Sequence, residues 1–236
     1  MQQGGSEVRR SAVAIMAKAP RAGQVKTRLC PPLSFPDAAE LYRCFLLDKI
    51  AQVNALGSAA PVISYGPDEE SGLAGAKAFF ERIAPSRFTL IPQFGDELGA
   101  RLLSTFHQLF TQGYPQVMAI DSDTPTLPKA YLEQAIDLIA QPHIDVVIGP
   151  TEDGGYYLIA LRRAYPELFE AMPWSTSDVL PETLRRSEAK GLRVACLKPW
   201  YDIDHADDLR RLRADLQRDG TDGARHTTQF LREHAW

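Results

Sequence analysis

The sequence predicts an α/β protein with a doubly wound, mostly parallel sheet, and three observations lead to this fold class. Short apolar runs typical of strands alternate with longer amphipathic segments along most of the chain. Such alternation is typical of parallel sheets that helices cover on both faces. A chain of 236 residues with 44% hydrophobic content can bury one full core. No internal repeat or low-complexity linker divides the chain, so we expect a single domain.

The predicted elements begin with a buried strand at residues 12–17 and a helix at residues 36–53. That helix places four apolar residues on one face: Leu41, Phe45, Leu46 and Ile50. Further strands are predicted at 61–65, 88–91, 117–120, 145–149, 156–161 and 192–196. Further helices are predicted at 69–83, 97–110, 129–140, 178–190 and 205–216.

The end of the chain is polar and poorly patterned from about residue 219. We therefore predict a domain at residues 1–218 and a C-terminal tail or short cap at residues 219–236.

The composition argues against several classes of protein. The net charge is −4 and no basic run is present, which disfavours a nucleic-acid surface. No apolar run approaches the roughly 20 residues that a membrane-spanning helix needs. The three cysteines, Cys30, Cys44 and Cys196, lie far apart. They disfavour a disulfide framework or a zinc site and fit a reducing compartment, so we expect a cytoplasmic protein with neither a nucleic-acid nor a membrane partner.

The loop after the first strand is unusually basic, and in such sheets the functional residues lie in loops at the carboxyl ends of strands. It contributes four cations, a glycine and a hydroxyl: Lys18, Arg21, Gly23, Lys26, Thr27 and Arg28. Cations gathered in a chain of negative net charge favour an anionic partner such as phosphate. The loop is not a P-loop, because Val25 stands where that motif has glycine, and the dinucleotide-binding glycine pattern is also absent. A merely solvated loop is the alternative.

Two aspartates follow the strand at residues 117–120. Asp121 and Asp123 are separated by one residue, so in an extended segment both carboxylates face one side. Oxygen ligands of this kind favour Mg²⁺ or Mn²⁺, which commonly bind substrate phosphates as well. The alternative is a simple turn, since Asp, Ser, Thr and Pro all favour turns.

A third group of candidates is the segment Glu152, Asp153, Gly154 and Gly155. The glycines allow backbone amides to approach a ligand, and the acids can accept hydrogen bonds from a sugar or a base. A hairpin turn flanked by acids is the alternative.

Two further aspartates, Asp202 and Asp204, precede the last predicted helix. Asp204 is also well placed as a helix N-cap.

Four motifs in this order resemble a bacterial family of GT-A-like transferases. The motifs are 26–29 with the helix that follows, 121–125, 152–157 and 174–176. Members of the family are commonly labelled glycosyltransferases, some of them linked to arsenosugar or selenium-associated gene clusters. The N-terminal pattern is also similar to that of the 2-phospho-lactate guanylyltransferases. The resemblance covers residues 12–212.

The resemblance implies a nucleotide-diphospho-sugar transferase fold, with Asp121 and Asp123 near a metal ion and the nucleotide phosphates. Nucleotidyltransferases of this fold complete the metal site with the first aspartate of an Asp-Thr-Pro-Glu-Asp-Leu pattern, which implies Asp204 as a ligand of Mg²⁺ or Mn²⁺. His205 and Ala206 depart from that pattern. The glycine-rich purine-binding loop is also replaced here, so the base stays open.

Two chemistries fit this family. In nucleotidyl transfer from a nucleoside triphosphate to a small phosphorylated acceptor, Lys26 and Arg28 suit the leaving pyrophosphate, and Lys18 or Arg21 suits the acceptor. In glycosyl transfer from a nucleotide-sugar, Glu152 or Asp153 is the expected base.

The basic first loop favours nucleotidyl transfer, with Asp123 at the reacting centre. A non-catalytic nucleotide-binding protein is the third alternative. The acceptor and the oligomeric state stay open.

Overall fold

The computed structural model describes residues 11–218 and 223–234 of the chain. The first ten residues of the predicted domain, and residues 219–222 and 235–236 of the predicted tail, lie outside this description. The seven strands are β1 (Ser11–Ala17), β2 (Ala59–Tyr65), β3 (Thr89–Pro92), β4 (Val117–Ile120), β5 (Val146–Pro150), β6 (Tyr156–Leu161) and β7 (Val194–Cys196). The helices are α1 (Phe35–Asn54), α2 (Gly72–Ile83), α3 (Leu98–Thr111), α4 (Lys129–Ala140), α5 (Val179–Ala189), α6 (Ala206–Arg218) and α7 (Arg225–Glu233).

The strands form one sheet in the order β3-β2-β1-β4-β6-β5-β7. Neighbouring strands are parallel except at β6, which runs antiparallel to both β4 and β5. The reversal has a simple cause: only five residues join β5 to β6, which suffices for a hairpin, whereas a parallel crossover needs a dozen or more. The predicted doubly wound, mostly parallel sheet is confirmed.

Helices cover both faces of the sheet, and two apolar clusters form the core. Successive residues of β1 alternate between them: Val13 and Ile15 belong to one cluster, and Ala12 and Ala14 to the other. This alternation follows from the two-residue period of a strand. Both faces of β1 are therefore buried, as in parallel sheets covered on both sides.

The predicted bounds of β4 and β6 agree with the structure, and most other boundaries differ by one or two residues. The start of α2 differs more, because the predicted helix begins at residue 69 and the observed one at Gly72. The Asp68 carboxylate accepts hydrogen bonds from the amides of Glu70 and Ser71, at 2.9 and 3.1 Å. These bonds hold the segment in a turn and delay the helix.

Helix α7 belongs to the segment that the sequence predicts as a tail or short cap. It packs against α1, and Phe230 and Leu231 contribute to the larger apolar cluster. The Asp48 carboxylate on α1 accepts hydrogen bonds from the amides of His226 and Thr227, both at 2.9 Å. Residues 225–233 are therefore part of the folded domain.

Among the helices in the described part of the chain, none has the length and apolar content needed to cross a membrane.

Candidate active site

A cleft of about 470 Å³ opens at the carboxyl ends of β1 and β4. The chain winds from β1 to β2 and β3 on one side and returns to β4 on the other, so the cleft lies at the switch point where α/β sheets bind ligands. The lining residues are Met16, Ala17, Lys18, Gln24, Val25, Lys26, Thr27, Arg28, Tyr42, Gln93, Leu98, Arg101, Asp121, Ser122, Asp123 and Asp204. The first basic loop and the two predicted acidic segments therefore meet in one cavity.

Lys26 lies between two of the predicted metal ligands. Its ammonium donates a hydrogen bond to Asp204 Oδ1 at 2.7 Å and lies 3.0 Å from Asp123 Oδ1. The backbone of Lys26 is left-handed, with φ of 50°, and begins the short 3₁₀ turn Thr27–Leu29. Burial lowers the pKa of Lys26, but the two carboxylates raise it by a larger amount, so the pKa is raised overall. The buried ammonium therefore remains charged and neutralises part of the acidic pair.

The structure distinguishes between Asp202 and Asp204. The Asp204 side chain faces Lys26, and although burial raises its pKa, the Lys26 charge and hydrogen bond lower it overall. The amides of Asp204 and His205 donate to Asp208 Oδ2 at 2.9 and 2.6 Å, so Asp208 supports the start of α6. Burial and the charges of Asp153 and Asp204 raise the pKa of Asp202 to about 6, and this residue is absent from the cleft lining.

Asp121 is held from behind by a buried lysine that the sequence analysis missed. Lys49 on α1 donates to Thr124 Oγ1 and to the Thr124 carbonyl, both at 2.9 Å, and its ammonium lies 3.8 Å from Asp121 Oδ1. Thr124 Oγ1 in turn donates to Asp121 Oδ1 at 2.7 Å. Burial raises the pKa of Asp121 and lowers that of Lys49. The sequence did carry a signal, because Lys49 interrupts the apolar stripe of α1.

Two of the three predicted metal ligands fit a divalent cation. Asp123 and Asp204 each direct an oxygen at the same ammonium, and the buried oxygen Asp123 Oδ1 has no aligned hydrogen-bond partner within the described ranges. Mg²⁺ commonly binds one or two carboxylates together with substrate phosphates and water. Over residues 11–218 and 223–234, no three acidic, histidine or cysteine side chains form a ready-made metal site. The structure therefore brings Asp123 and Asp204 together at one ammonium, and Asp121 is not part of this pair.

Three cations in the cleft form no ion pair with any carboxylate in the described part of the chain. Lys18, Arg28 and Arg101 line it, and for none of them does the described part of the chain provide a carboxylate within ion-pairing distance. Arg101 is held by main-chain oxygens, with its Nε 3.0 Å from the Gly95 carbonyl. Arg101 was not predicted from the sequence, although the loop before it follows the carboxyl end of β3, where functional residues are also expected.

Arg21 and Gly23 do not face the cleft. The Arg21 guanidinium pairs with Asp68 at 2.5 Å and borders a separate hollow beside α1 and α2. Gly23 has φ of 79°, which glycine adopts at little cost, so it shapes the loop between β1 and Lys26. The structure therefore brings together three of the four predicted phosphate-binding cations.

The segment 152–155 forms the hairpin turn between β5 and β6, outside the cleft lining. The Glu152 carboxylate forms two hydrogen bonds with Arg211, at 2.5 and 2.9 Å. Asp153 Oδ1 accepts from Thr151 Oγ1 at 2.5 Å and from the Gly155 amide at 3.1 Å. A Cβ at Gly154 would lie 2.5 Å from the carbonyl oxygen of residue 177. An ion pair, hydrogen bonds within the turn and close packing at Gly154 thus engage these four residues, and their catalytic or ligand-binding roles stay predictions.

Comparisons with known proteins concern the family and the fold of the chain. Residues 49–176 match the family described as "Uncharacterized protein conserved in bacteria (DUF2064)". A candidate nucleotide-diphospho-sugar transferase from Desulfovibrio desulfuricans G20 is 31% identical, with 94% of each chain covered and a TM-score of 0.85. No curated protein matches the sequence.

Two more distant structures are similar to this chain only in their fold. CMP:2-keto-3-deoxy-manno-octonic acid synthetase, solved with CTP, is 12% identical over 89% of this chain and 99% of that one, with a TM-score of 0.57. Glucosyl-3-phosphoglycerate synthase from Mycobacterium tuberculosis, solved with Mn²⁺, UDP and phosphoglyceric acid, is 11% identical over 92% and 78%, with a TM-score of 0.50.

These matches confirm the resemblance at the level of the superfamily. The arsenosugar or selenium label and the similarity to 2-phospho-lactate guanylyltransferases stay predictions. The chain belongs to the bacterial DUF2064 family, and its fold is that of the nucleotide-diphospho-sugar transferases.

Proposed function

We propose that the protein is a nucleotidyltransferase that joins the nucleotide of a nucleoside triphosphate to a small phosphorylated acceptor. One observation carries this proposal: Lys18, Arg28 and Arg101 line the cleft without a carboxylate partner in the described ranges, next to the Asp123–Asp204 pair. Cations left unpaired in a cleft favour a polyanionic ligand. A triphosphate and a phosphorylated acceptor provide that charge.

The proposed reaction is an in-line displacement at phosphorus. An oxygen of the acceptor phosphate attacks the α-phosphorus, and the bond to pyrophosphate breaks with its electron pair on the leaving oxygen. The acceptor oxygen is already ionised, so no side chain has to remove a proton. Lys26 and Arg28 neutralise charge on the leaving pyrophosphate, and Lys18 and Arg101 bind the remaining anionic groups.

Asp123 and Asp204 are the proposed ligands of Mg²⁺ or Mn²⁺. When bound, such an ion supplies positive charge to the phosphates and orients them for displacement. Asp121, predicted as a third ligand, supports the pair through the turn that it shares with Thr124. A cation held by Asp123 and Asp204 would compete with Lys26 for these acids, and the Lys26 ammonium would then be available to bind phosphate.

Glycosyl transfer from a nucleotide-sugar is the second candidate, and the name of the D. desulfuricans relative favours it. Transfer to a hydroxyl group commonly requires a nearby base. The two carboxylates proposed for that role are already engaged: Glu152 by Arg211 and Asp153 by Thr151. Neither lines the cleft, and this supports nucleotidyl transfer over glycosyl transfer.

A thermal-shift panel of nucleoside triphosphates and nucleotide-sugars, with and without Mn²⁺, tests the proposal. A ligand at one hundred times its dissociation constant stabilises the protein by about 2.7 kcal/mol, which such a panel detects. Nucleotidyl transfer predicts stabilisation by a triphosphate with Mn²⁺, followed by pyrophosphate release in the presence of phosphorylated acceptors. Stabilisation by a nucleotide-sugar alone would favour glycosyl transfer, and binding without turnover would favour a non-catalytic protein.

A matched pair of variants tests the metal ligands. Asp123→Asn should abolish the Mn²⁺-dependent part of nucleotide binding, because it removes the charge and keeps the shape. Glu152→Gln makes the same change at a carboxylate outside the cleft and should leave that binding intact. Unchanged Mn²⁺ dependence in Asp123→Asn would refute the ligand assignment.

A further inference from the structure

One face of α1 runs along the acidic loop after β4 and contacts it at three points. Tyr42 shares a hydrogen bond of 2.9 Å with the Ser122 hydroxyl, and Lys49 binds Thr124. Gln52 donates to the main-chain carbonyl of the loop at residue 127. Positions 42, 49 and 52 are spaced by seven and three residues, so they share one side of the helix. Helix α1 therefore lies along the loop over residues 122–127.

Lys49 differs from the other two contacts because it carries a charge. Its side chain is 1% exposed, and its apolar neighbours on the helix, including Phe45, Leu46 and Val53, lie in the core. Burial of an ammonium is costly unless hydrogen bonds and an opposite charge offset it. Here the two bonds to Thr124 and the carboxylate of Asp121 provide both. If position 49 served only to fill the core, an apolar side chain would do so at a lower free-energy cost.

Lys49 is linked indirectly, through the backbone of the loop, to both proposed metal ligands. The Asp121–Thr124 turn that Lys49 holds includes Asp123, whose carbonyl accepts a hydrogen bond of 3.1 Å from the Ile203 amide. Ile203 is adjacent to Asp204. A shift of the turn would therefore change the distance between the carboxylates of Asp123 and Asp204, although neither carboxylate touches Lys49.

We propose that Lys49 is a positioning residue that sets the turn so that Asp123 and Asp204 can share a divalent cation. The inference rests on the proposed function only in that it takes these two acids as the metal ligands. Lys49 does not line the cleft, so its effect on a bound cation acts through Asp121 and Thr124.

Mn²⁺ binding by the full-length protein, followed from the electron paramagnetic resonance signal of free Mn²⁺, tests the proposal without an activity assay. Lys49→Met is compared with Gln52→Met, which places the same side chain on the same helix face and removes a hydrogen bond to the same loop, farther from the acids. We expect Mn²⁺ affinity to fall at least tenfold in Lys49→Met and to stay within twofold in Gln52→Met, with thermal stability lowered in both.

Four results would overturn the proposal. Equal Mn²⁺ affinity in Lys49→Met and the wild type would do so while leaving the proposed function standing, and so would equal losses in the two variants. Wild-type protein that binds no Mn²⁺, alone or with a nucleoside triphosphate, would overturn both. If Lys49→Met does not fold, Thr124→Val replaces it, because this variant removes the hydroxyl between Lys49 and Asp121. It should lower Mn²⁺ affinity at least threefold, and an unchanged affinity would refute the inference.

Discussion

Replacement of Lys26 by methionine gives a quantitative test of the acidic pair. Methionine keeps an unbranched stem and removes the ammonium that lies 2.7 Å from Asp204 and 3.0 Å from Asp123. Removal of one partner of a buried ion pair costs about 3–5 kcal/mol. The two acids, Asp123 and Asp204, are 34% and 38% exposed, so water compensates for part of the loss, and we expect about 2 kcal/mol of destabilisation in the absence of metal.

Thermal unfolding measures this loss directly. For a domain of this size, 1 kcal/mol corresponds to about 2–4 °C in Tm, so Lys26→Met should unfold about 4–8 °C below the wild type. Mn²⁺ should then raise the Tm of Lys26→Met more than that of the wild type. The reason is that a divalent cation between the two acids replaces the charge that the variant lacks, whereas in the wild type it first has to displace the ammonium.

The control for this prediction is Lys129→Met. The Lys129 ammonium lies 2.7 Å from Glu133 in an exposed pair on α4, and such pairs contribute about 0.5 kcal/mol or less. Its Tm should stay close to the wild-type value, and its response to Mn²⁺ should be unchanged. An unaltered Tm in Lys26→Met, or equal Mn²⁺ shifts in Lys26→Met and the wild type, would refute the reasoning.

Three further predictions concern the cleft, the C-terminal helix and the sheet edge. Arg28→Ala should weaken triphosphate binding about tenfold, or about 1.4 kcal/mol, and nucleoside binding much less. The reason is that Arg28 lines the cleft without a carboxylate within ion-pairing distance in the described ranges. Isothermal calorimetry measures both affinities. Asp48→Ala should lower the free energy of unfolding by about 1–2 kcal/mol, since it removes the acceptor of two α7 amides. Arg193→Met should lower the Tm at pH 7, because Arg193 holds Asp145 at 2.8 Å and its hydrogen bond lowers the pKa of Asp145 to about 2. A depressed carboxyl pKa gives stability that is present above about pH 4, so the difference in Tm should fade as the pH falls from about 4 towards about 2.

Each of these predictions has a result that contradicts it. Arg21→Ala is the control for Arg28→Ala, because Arg21 pairs with Asp68 outside the cleft. Equal losses of triphosphate affinity in the two variants would remove the phosphate role of Arg28. Nucleotide affinity should be unaltered in Asp48→Ala, and a loss as large as that in Arg28→Ala would mean that α7 supports the cleft. A Tm difference for Arg193→Met that persists at about pH 2 would indicate impaired packing rather than a broken ion pair.

The order and type of the strands and of helices α1 to α6 were predictable from the sequence, because burial sets a local period. The run that became β4 and the helix that became α1 carry that period in their own residues. The direction of β6 was harder to predict, because it depends on the length of one loop. The turn at Asp68 was also missed, since a side chain that binds its own backbone leaves the hydrophobic pattern almost unchanged.

The site was predictable only in part, for a related reason. The shared location of Lys26, Asp123 and Asp204 could be predicted, because each follows or precedes an element at the same edge of the sheet. Their pairing could not, because the contact joins positions 26, 123 and 204, and no local pattern records it. Arg21 stands in the same loop as Lys26 and turns to another partner, so a count of charges in the loop overestimated the cluster.

The two buried lysines separate electrostatic effects from geometric ones at the same acids. If charge alone governed cation binding, removal of either ammonium would strengthen it, because each is a like charge near the bound ion. Lys26 lines the cleft between the two carboxylates, so Lys26→Met should follow that rule. Lys49 lies behind the turn and holds its backbone, so Lys49→Met should do the opposite. Opposite changes in Mn²⁺ affinity after removal of two like charges would therefore identify Lys49 as a determinant of geometry, which neither charge nor stability alone explains.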